Sequence, residues 1–179
     1  MKNQFNIYEN YTVSDYNFDF MGEYILTNSK YFLNKKKVIW SYDNKEYVFA
    51  KELDNLSIDY LEKNLLSFTD FAMQNLVQVD ENHMSTTITL FVSTDHIDKV
   101  LKSKIPKIKK RRSYMLGLKG YSSLRIILFD KSTNEFIYNC DSKDVIHFYK
   151  EVYYEFINTT FNKCTYSFYR ICMLWRLFS

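Results

Sequence analysis

Positive side chains are concentrated in residues 99–112, which carry eight lysines and arginines and no acidic residue. This stretch is termed the basic segment. Ammonium and guanidinium groups bind phosphate oxygens, and each contact adds salt-dependent affinity because it releases counterions. The net charge of the whole chain is only +3, so binding to a polyanion has to depend on this local concentration. The basic segment therefore predicts a surface for nucleic acid or a nucleoprotein complex.

The predicted surface extends into the residues that follow the basic segment. Aromatic rings stack on nucleic-acid bases when they are exposed, and Tyr114, Tyr121 and Phe129 lie close by in sequence. The residues that we assign to nucleic-acid or partner binding are Lys102, Lys104, Lys107, Lys109, Lys110, Arg111, Arg112, Lys119 and Tyr121. Charge runs also occur in solvated loops that keep a protein soluble, and a basic run can bind an acidic protein surface; the sequence leaves both alternatives open.

An acidic pair and a lysine further along the chain offer a second kind of chemistry. Asp130, Asp141 and Lys143 resemble the D…(D/E)-x-K pattern of metal-dependent nucleases, in which two carboxylates hold Mg²⁺ and the lysine stabilises the attacking water. However, Asp130 lies at a predicted turn and Asp141 beyond the following strand, about 20 Å away at ~3.3 Å per residue. We therefore expect Asp130 to start a turn and Asp141 to cap a helix. A nuclease that uses these three residues is the alternative.

No metal site, cofactor site or catalytic residue is predicted elsewhere. The histidines, His83, His96 and His147, are scattered and show neither H-x3-H nor H-E-x-x-H spacing. Neither G-x-x-x-x-G-K-[ST] nor G-x-G-x-x-G occurs in the chain. The sequence therefore favours a binding protein over an enzyme.

The cysteines indicate a reducing compartment. Cys140, Cys164 and Cys172 are odd in number and lack C-x-x-C spacing, which suits buried thiols better than a disulfide framework. The N-terminal residues lack the apolar core of a signal peptide. The expected localisation is cytoplasmic.

The C-terminal residues form a second candidate interface. Cys164, Phe168, Ile171, Trp175 and Phe178 follow one another at steps of 4, 3, 4 and 3 residues, the seam spacing of a packed helix at about 162–178. This seam either closes the core or forms the interface of a homodimer. Its candidate interface residues are Phe168, Ile171, Trp175 and Phe178. The stretch falls short of the ~20 residues that span a bilayer and holds two arginines, so we expect no membrane span and no membrane partner.

Alternating apolar side chains and turn residues predict most of the strands. Residues 43–45 are predicted to form a hairpin turn between two strands, and residues 130–134 a second one. Residues 23–33 fit either a strand or a short helix. The predicted strands are 16–20, 38–42, 46–50, 84–92, 124–129 and 135–139, with a further strand near 114–118.

Three- and four-residue spacing predicts the helices. The firmest is 57–76, with Ser57 as its cap and an apolar stripe that includes Leu61, Leu65 and Phe68. Ser93 or Thr94 is predicted to cap a second helix that Pro106 ends, and Asp141 or Ser142 a third.

These elements predict an α+β fold in a single domain that covers residues 1–179. We expect an antiparallel, meander-containing sheet with three to four helices packed mainly on one face. The predicted function is a non-enzymatic binding or inhibitor protein that acts through the basic segment. Heavy use of Asn, Lys, Ile, Tyr and Phe is typical of AT-rich genomes. One form of the hypothesis is therefore a phage or mobile-element factor directed at a host nuclease or defence system.

Overall fold

A sheet of seven strands is the centre of the fold. The computed structural model describes residues 2–31 and 38–160, with side chains for residues 6–29 and 41–153, and all its strands belong to this sheet. The strands are β1 (Lys2–Val13), β2 (Tyr16–Tyr31), β3 (Val38–Leu56), β4 (His83–Ile97), β5 (Arg111–Ser113), β6 (Tyr121–Asp130) and β7 (Glu135–Tyr138).

Three helices accompany the sheet in the described part of the chain, within the expected range of three to four. The first, α1, contains a central π-helical segment. The helices are α1 (Ile58–Tyr60, Leu61–Leu66 as the π segment, and Ser67–Asn75), α2 (Lys99–Lys104, extended by the 3-10 turn Ile105–Lys107) and α3 (Ile146–Thr160).

The sheet is mixed, so the expected antiparallel sheet is wrong at its centre. The strand order is β1-β2-β3-β4-β6-β5, and β7 shares with β5 the outer edge of β6. Strands β1 to β3 form an antiparallel meander, whereas β3, β4 and β6 run parallel. The reason is that α1 and α2 are crossovers, which return the chain to the starting end of the sheet before β4 and β6 begin.

The hairpin predicted at residues 43–45 does not form, because β3 runs straight through them. β2 and β4 border this stretch on both sides, and the side chains of Asn44 and Lys45 find partners on β4 and in the loop before it. Lys45 is buried with its Nζ 3.6 Å from Asp80 Oδ2, and Ser85 Oγ donates to Asn44 Oδ1 at 2.6 Å. Turn-forming residue types are misleading where neighbouring strands satisfy their polar groups.

Helix α1 confirms the helix predicted at 57–76. Ser57 Oγ accepts a hydrogen bond from the Tyr60 N–H at 3.1 Å and caps the first turn. Leu61, Leu65 and Phe68 are almost completely buried against the sheet. The apolar spacing therefore identified the face that packs.

Strand β4 is longer than the strand predicted at 84–92, and the predicted caps Ser93 and Thr94 are wrong. Both side chains are buried within the strand, whose pairing with β3 continues to Ile97. Asp98 caps α2 instead, since its Oδ1 accepts from the Val100 N–H at 3.2 Å.

Helices cover both faces of the sheet. The larger core lies between the sheet and α1 and α2 and includes Leu65, Leu90 and Leu101. The smaller core lies between the opposite face and α3 and includes Phe91 and Tyr149. The expectation that the helices pack mainly on one face thus holds for α1 and α2 and fails for α3. The strand order β3-β4-β6 advances in one direction, so crossovers of one hand put α1 and α2 on the same face.

The strand that follows β6 in the chain, β7, covers part of the outer edge of β6. The predicted hairpin forms, with β6 and β7 paired from Ile127↔Tyr138 to Asp130↔Glu135. The strand predicted near 114–118 is wrong, because Met115–Gly117 is a 3-10 turn.

No helix in residues 2–31 and 38–160 is long and apolar enough to cross a membrane. The helix predicted at about 162–178 lies outside the described residues, as do its candidate interface residues Phe168, Ile171, Trp175 and Phe178.

Candidate functional site

The basic segment begins on α2 and ends in β5, at one edge of the sheet. Strand β1 forms the opposite edge, so the N-terminal acids Glu9 and Asp15 are separated from the basic segment by the width of the sheet. Any neutralisation of the segment therefore has to come from acids nearer to it.

Lys102 is occupied by two such acids. Its Nζ lies 2.7 Å from Glu135 Oε2 and 3.3 Å from Asp130 Oδ2. The hydrogen bond to Glu135 raises the pKa of Lys102 above its ordinary value, desolvation opposes this rise, and Asp130 adds to it. Lys102 therefore joins α2 to the β6–β7 hairpin and is not an open cation.

Asp130 should make the stability of the protein sensitive to acid. Burial favours the neutral carboxyl of Asp130 and by itself would raise its pKa. Hydrogen bonds from Ser132, from the Lys102 ammonium and from Thr133 stabilise the carboxylate more strongly. Together they hold the Asp130 pKa at about 2, below its ordinary value of 3.8. A lowered native pKa contributes stability that is present above the ordinary pKa and is lost as the pH falls through the native pKa.

We therefore expect the free energy of unfolding of the wild type to exceed that of Asp130→Asn by about 2 kcal/mol near neutral pH, an advantage that disappears between about pH 4 and pH 2. Urea denaturation at several pH values measures this difference. Asp54→Asn, at an exposed aspartate, is the matched control. An advantage that persists unchanged at the lowest pH would contradict this role of Asp130.

Two further lysines of the basic segment are paired with α1. Lys104 pairs with Glu62, and Lys110 Nζ lies 2.6 Å from Asp70 Oδ1. With Lys102, three of the predicted binding residues thus make ion pairs within the protein. The unpaired positive charge on this surface is accordingly confined to fewer residues than the sequence indicates.

Strand β5 divides its two arginines between the faces of the sheet, because successive side chains of a strand point to opposite faces. Arg112 points toward α1, where its guanidinium contacts the Met73 carbonyl oxygen at 3.5 Å and lies 5.7 Å from the centre of the Tyr114 ring. Arg111 points to the other face, and its Cζ lies 3.6 Å from the centre of the Tyr121 ring. Arg111 and Tyr121, both predicted binding residues, therefore form a cation–π pair.

An open polar pocket of about 350 Å³ lies beside this pair and is termed the Arg111 pocket. Three cations, Arg111, Arg125 and Lys143, line it together with several hydroxyl groups, and both kinds of group bind phosphate and sugar oxygens. Asp141 and Asp144 line it as well. Its lining includes Thr87, Arg111, Tyr121, Ser123, Asp141 and Lys143. Lys143, which the sequence connected only with the nuclease alternative, thus belongs with Arg111.

Arg125 holds one wall of the Arg111 pocket in place. Its guanidinium lies 3.1 Å from Glu46 Oε1 and 2.8 Å from Asp144 Oδ2, and its Nε donates to the Asp141 carbonyl oxygen at 3.0 Å. Arg125 is therefore neutralised and positions the turn that carries Lys143. Sequence reasoning missed it, although Tyr121, Ser123 and Arg125 alternate along β6 and so share one polar face.

The structure does not bring Asp130, Asp141 and Lys143 together. Asp130 lies at the end of β6 beside Lys102, whereas Asp141 contacts Arg125, five residues earlier in the strand. At ~3.3 Å per residue, the two contacts are about 17 Å apart. No group of three or more His, Cys, Asp or Glu side chains within the described ranges is placed to hold a metal ion.

Residues 140–142 form a 3-10 turn, and α3 begins only at Ile146, so Asp141 and Ser142 do not cap it as predicted. Ser142 is buried and donates to the Ile126 carbonyl oxygen at 3.2 Å. Cys140 is a free, exposed thiol, contrary to the expected burial. Cys164 and Cys172 lie outside the described residues.

The remaining cations of the predicted surface are open to solvent. Lys99, Lys107 and Lys109 are exposed, and none makes an ion pair with another described side chain. The Lys119 ammonium contacts only a backbone group, the Asp80 carbonyl oxygen, at 3.4 Å. The extended backbone around Arg111 places Lys109 on the same side of the chain.

A family model matches residues 1–151 of the chain. This range contains all seven described strands and the lining of the Arg111 pocket, which runs from Thr87 to Asp144. Comparisons with curated proteins and with solved structures returned no match. The chain belongs to the family described as Domain of unknown function (DUF8052).

Proposed function

We propose that this chain is a non-enzymatic binding protein that engages single-stranded nucleic acid, free or within a nucleoprotein complex, at the Arg111 pocket. The observation that carries the proposal is the Arg111 guanidinium, which lies over the Tyr121 ring with its Cζ 3.6 Å from the ring centre, in the lining of an open polar pocket. Planar groups of this kind stack on unpaired bases, while the adjoining cations bind the phosphates. Unpaired bases are accessible to such a site only in single strands, loops and ends.

The charge distribution supports phosphate contacts at this place. Residues 99–129 contain no aspartate or glutamate, so the approach to Arg111 along the chain is free of repulsion from its own segment. Lys109 lies on the same side of the chain as Arg111. Lys143 lines the same pocket as Arg111. About three phosphates fit this set, which predicts a dependence of log K on log salt with a slope near −2.

The binding surface in this proposal is narrower than the basic segment. Lys102, Lys104 and Lys110 hold acids of the protein itself, so they contribute to stability and only weakly to an external ligand. Blocking the nucleic-acid path of a host nuclease or defence complex is one use that such a surface would serve.

The test is the affinity of the full chain for a fluorescein-labelled oligothymidylate, measured by anisotropy at several salt concentrations. We expect the double variant Arg111→Gln, Lys143→Gln to bind at least about tenfold more weakly, because it loses two charge-assisted contacts. Its salt slope should also become shallower by about 1.4, or 0.7 for each lost contact.

The matched control is Lys63→Gln, which removes one exposed positive charge from α1 on the opposite face of the sheet and should leave the affinity nearly unchanged. Absence of wild-type binding, or an unaltered salt slope in the double variant, would refute the proposal. A loss of log K in the control about half that in the double variant, as one charge against two requires, would show that only the total charge matters, which also refutes it.

A further inference from the structure

The loop between β5 and β6 carries the most exposed apolar side chains in the described part of the chain. Leu116 is 102% exposed, Leu118 85% and Met115 67%. These three residues are termed the apolar tip. Single exposed apolar residues are ordinary, whereas a contiguous exposed apolar patch of a few hundred Å² on a protein surface is often functional.

The backbone of this loop is closed by its own hydrogen bonds. The Tyr114 N–H donates to the Gly120 carbonyl oxygen at 3.0 Å, and the Gly117 and Lys119 N–H groups donate to the Tyr114 carbonyl oxygen at 3.0 and 3.2 Å. Met115 has a φ of 47°, in the left-handed region that side chains rarely adopt. The loop therefore holds the apolar tip outward in a conformation that costs backbone energy.

The base of the loop is attached to the body of the protein. The Tyr114 hydroxyl contacts the Met73 carbonyl oxygen at 3.2 Å and Ser122 Oγ at 2.9 Å. The buried His83 donates from Nδ1 to the Lys119 carbonyl oxygen at 2.6 Å. An anchored base limits the ability of the tip to fold back and cover its apolar side chains.

Cations flank the apolar tip on both sides. Arg112 precedes it, Lys119 follows it, and no acidic residue occurs between positions 99 and 129. Met84 adds exposed apolar surface at the same end, since its backbone lies against Gly120. The tip is thus apolar at its point and is flanked in the chain by two cations, of which Lys119 places its ammonium 3.4 Å from the Asp80 carbonyl oxygen.

The size of the tip decides which kind of partner fits it. Three apolar side chains offer roughly 300 Å² of surface, estimated from their transfer free energies. A stable protein interface needs about 800 Å² on each partner, together with a matching shape. A lipid surface has no such requirement, because its fluid interior accommodates any small convex apolar group and its anionic headgroups attract nearby cations.

We propose that the apolar tip inserts Met115, Leu116 and Leu118 into the surface of an anionic lipid bilayer, with Arg112 and Lys119 contacting the phosphate headgroups. This peripheral contact requires no membrane-spanning helix. Hydropathy along the sequence does not detect it, because a window of about 20 residues dilutes three apolar residues at one turn. The surface is separate from the pair of cations, Arg111 and Lys143, on which the proposed nucleic-acid site depends.

The test is co-sedimentation of the full chain with vesicles of phosphatidylcholine alone and of phosphatidylcholine mixed with phosphatidylglycerol. We expect binding to the anionic vesicles and much weaker binding to the neutral ones. The double variant Leu116→Ser, Leu118→Ser should bind the anionic vesicles at least about tenfold more weakly, because it removes most of the inserting surface. Both side chains are exposed, so the fold should tolerate the change.

Two comparisons separate insertion from adsorption by charge. Val100→Ser, at an exposed apolar residue of α2, is the matched control and should bind as the wild type does. Leu116→Trp should show a tryptophan emission that shifts to shorter wavelength on anionic vesicles, relative to the wild type with its two native tryptophans.

Failure of wild-type binding to anionic vesicles, or equal binding by the Leu116→Ser, Leu118→Ser variant, would overturn the proposal. It would also be overturned if Arg111→Gln, Lys143→Gln abolished vesicle binding while the tip variant retained it, since adsorption would then depend on charge alone. Nucleic-acid binding that is lost while vesicle binding persists would reject only the proposed function.

Discussion

Replacement of Asn139 by alanine is expected to lower the free energy of unfolding by about 3–5 kcal/mol, because it leaves several buried polar groups without partners. Asn139 is fully buried at the outer edge of β6, between the part covered by β5 and the part covered by β7. Its amide donates to the carbonyl oxygens of Leu124 at 2.9 Å and Ile108 at 3.1 Å, and its own oxygen accepts from the Ile126 N–H at 3.0 Å. The Asn139 side chain thus makes the hydrogen bonds that a neighbouring strand would otherwise make with this part of β6.

Urea denaturation monitored by circular dichroism measures this loss. Asn139→Asp is an informative second variant, because a carboxylate keeps the acceptors but cannot donate to the two carbonyls, and we expect it to be at least as unstable. Asn75→Ala is the control, since the exposed Asn75 amide donates only to the Phe71 carbonyl of its own helix. Its effect should stay within about 0.5 kcal/mol. A stable Asn139→Ala protein would show that the amide is not the partner of the β6 edge.

Replacement of Gly120 by alanine is expected to cost about 3 kcal/mol or more, because the added methyl group has no space. A Cβ at this position would lie 2.1 Å from the Met84 carbonyl oxygen, and the φ of +74° already disfavours any side chain. Strand β4 and the start of β6 would have to separate to admit it. The same movement would displace the base of the loop that carries the apolar tip.

Gly117→Ala provides a matched control for the Gly120 prediction. Gly117 also has a positive φ, +92°, but its Cβ would meet no atom within 4 Å. The expected cost is therefore only the backbone strain, about 1 kcal/mol. Equal losses in the two variants would mean that the contact with Met84, and hence the close approach of the chains, is not what constrains Gly120.

Local patterns predicted those elements whose stabilising partners lie on the same short segment. Ser57 caps α1 through a neighbouring N–H group, and Leu61 and Leu65 follow the helical repeat. The β6–β7 hairpin likewise follows from its own turn residues. In both cases the interacting groups are close in sequence, so their spacing was sufficient to predict the helix and the hairpin.

Predictions failed where a distant part of the chain supplied the partner. Asn44 and Lys45 have the character of turn residues, yet β2 and β4 enclose them and Asp80 and Ser85 satisfy them. Thr94, expected to cap a helix, donates instead to the carbonyl of Asp54 on β3. A residue type indicates what a side chain needs, and only the arrangement of the strands determines where that need is met.

Residue types alone set the chemical make-up of the candidate surfaces. The sequence contains the acid-free basic segment and places Tyr121 shortly after it. It contains no residues at the spacing of a cofactor-binding motif. These properties depend on residue types and on separations of a few residues, which the chain carries in every conformation.

The tertiary structure decided which of these groups are available. Folding pairs Lys102 with Glu135 and brings Arg111 and Lys143 to one pocket, although each pair is more than 30 residues apart in the chain. It also places the Arg111 guanidinium over the Tyr121 ring. Strand alternation then sent Arg111 and Arg112 to opposite faces, although they are adjacent in sequence. The physical reason is that charge is a property of a residue, whereas its neutralisation is a property of the neighbours that folding brings within a few ångströms.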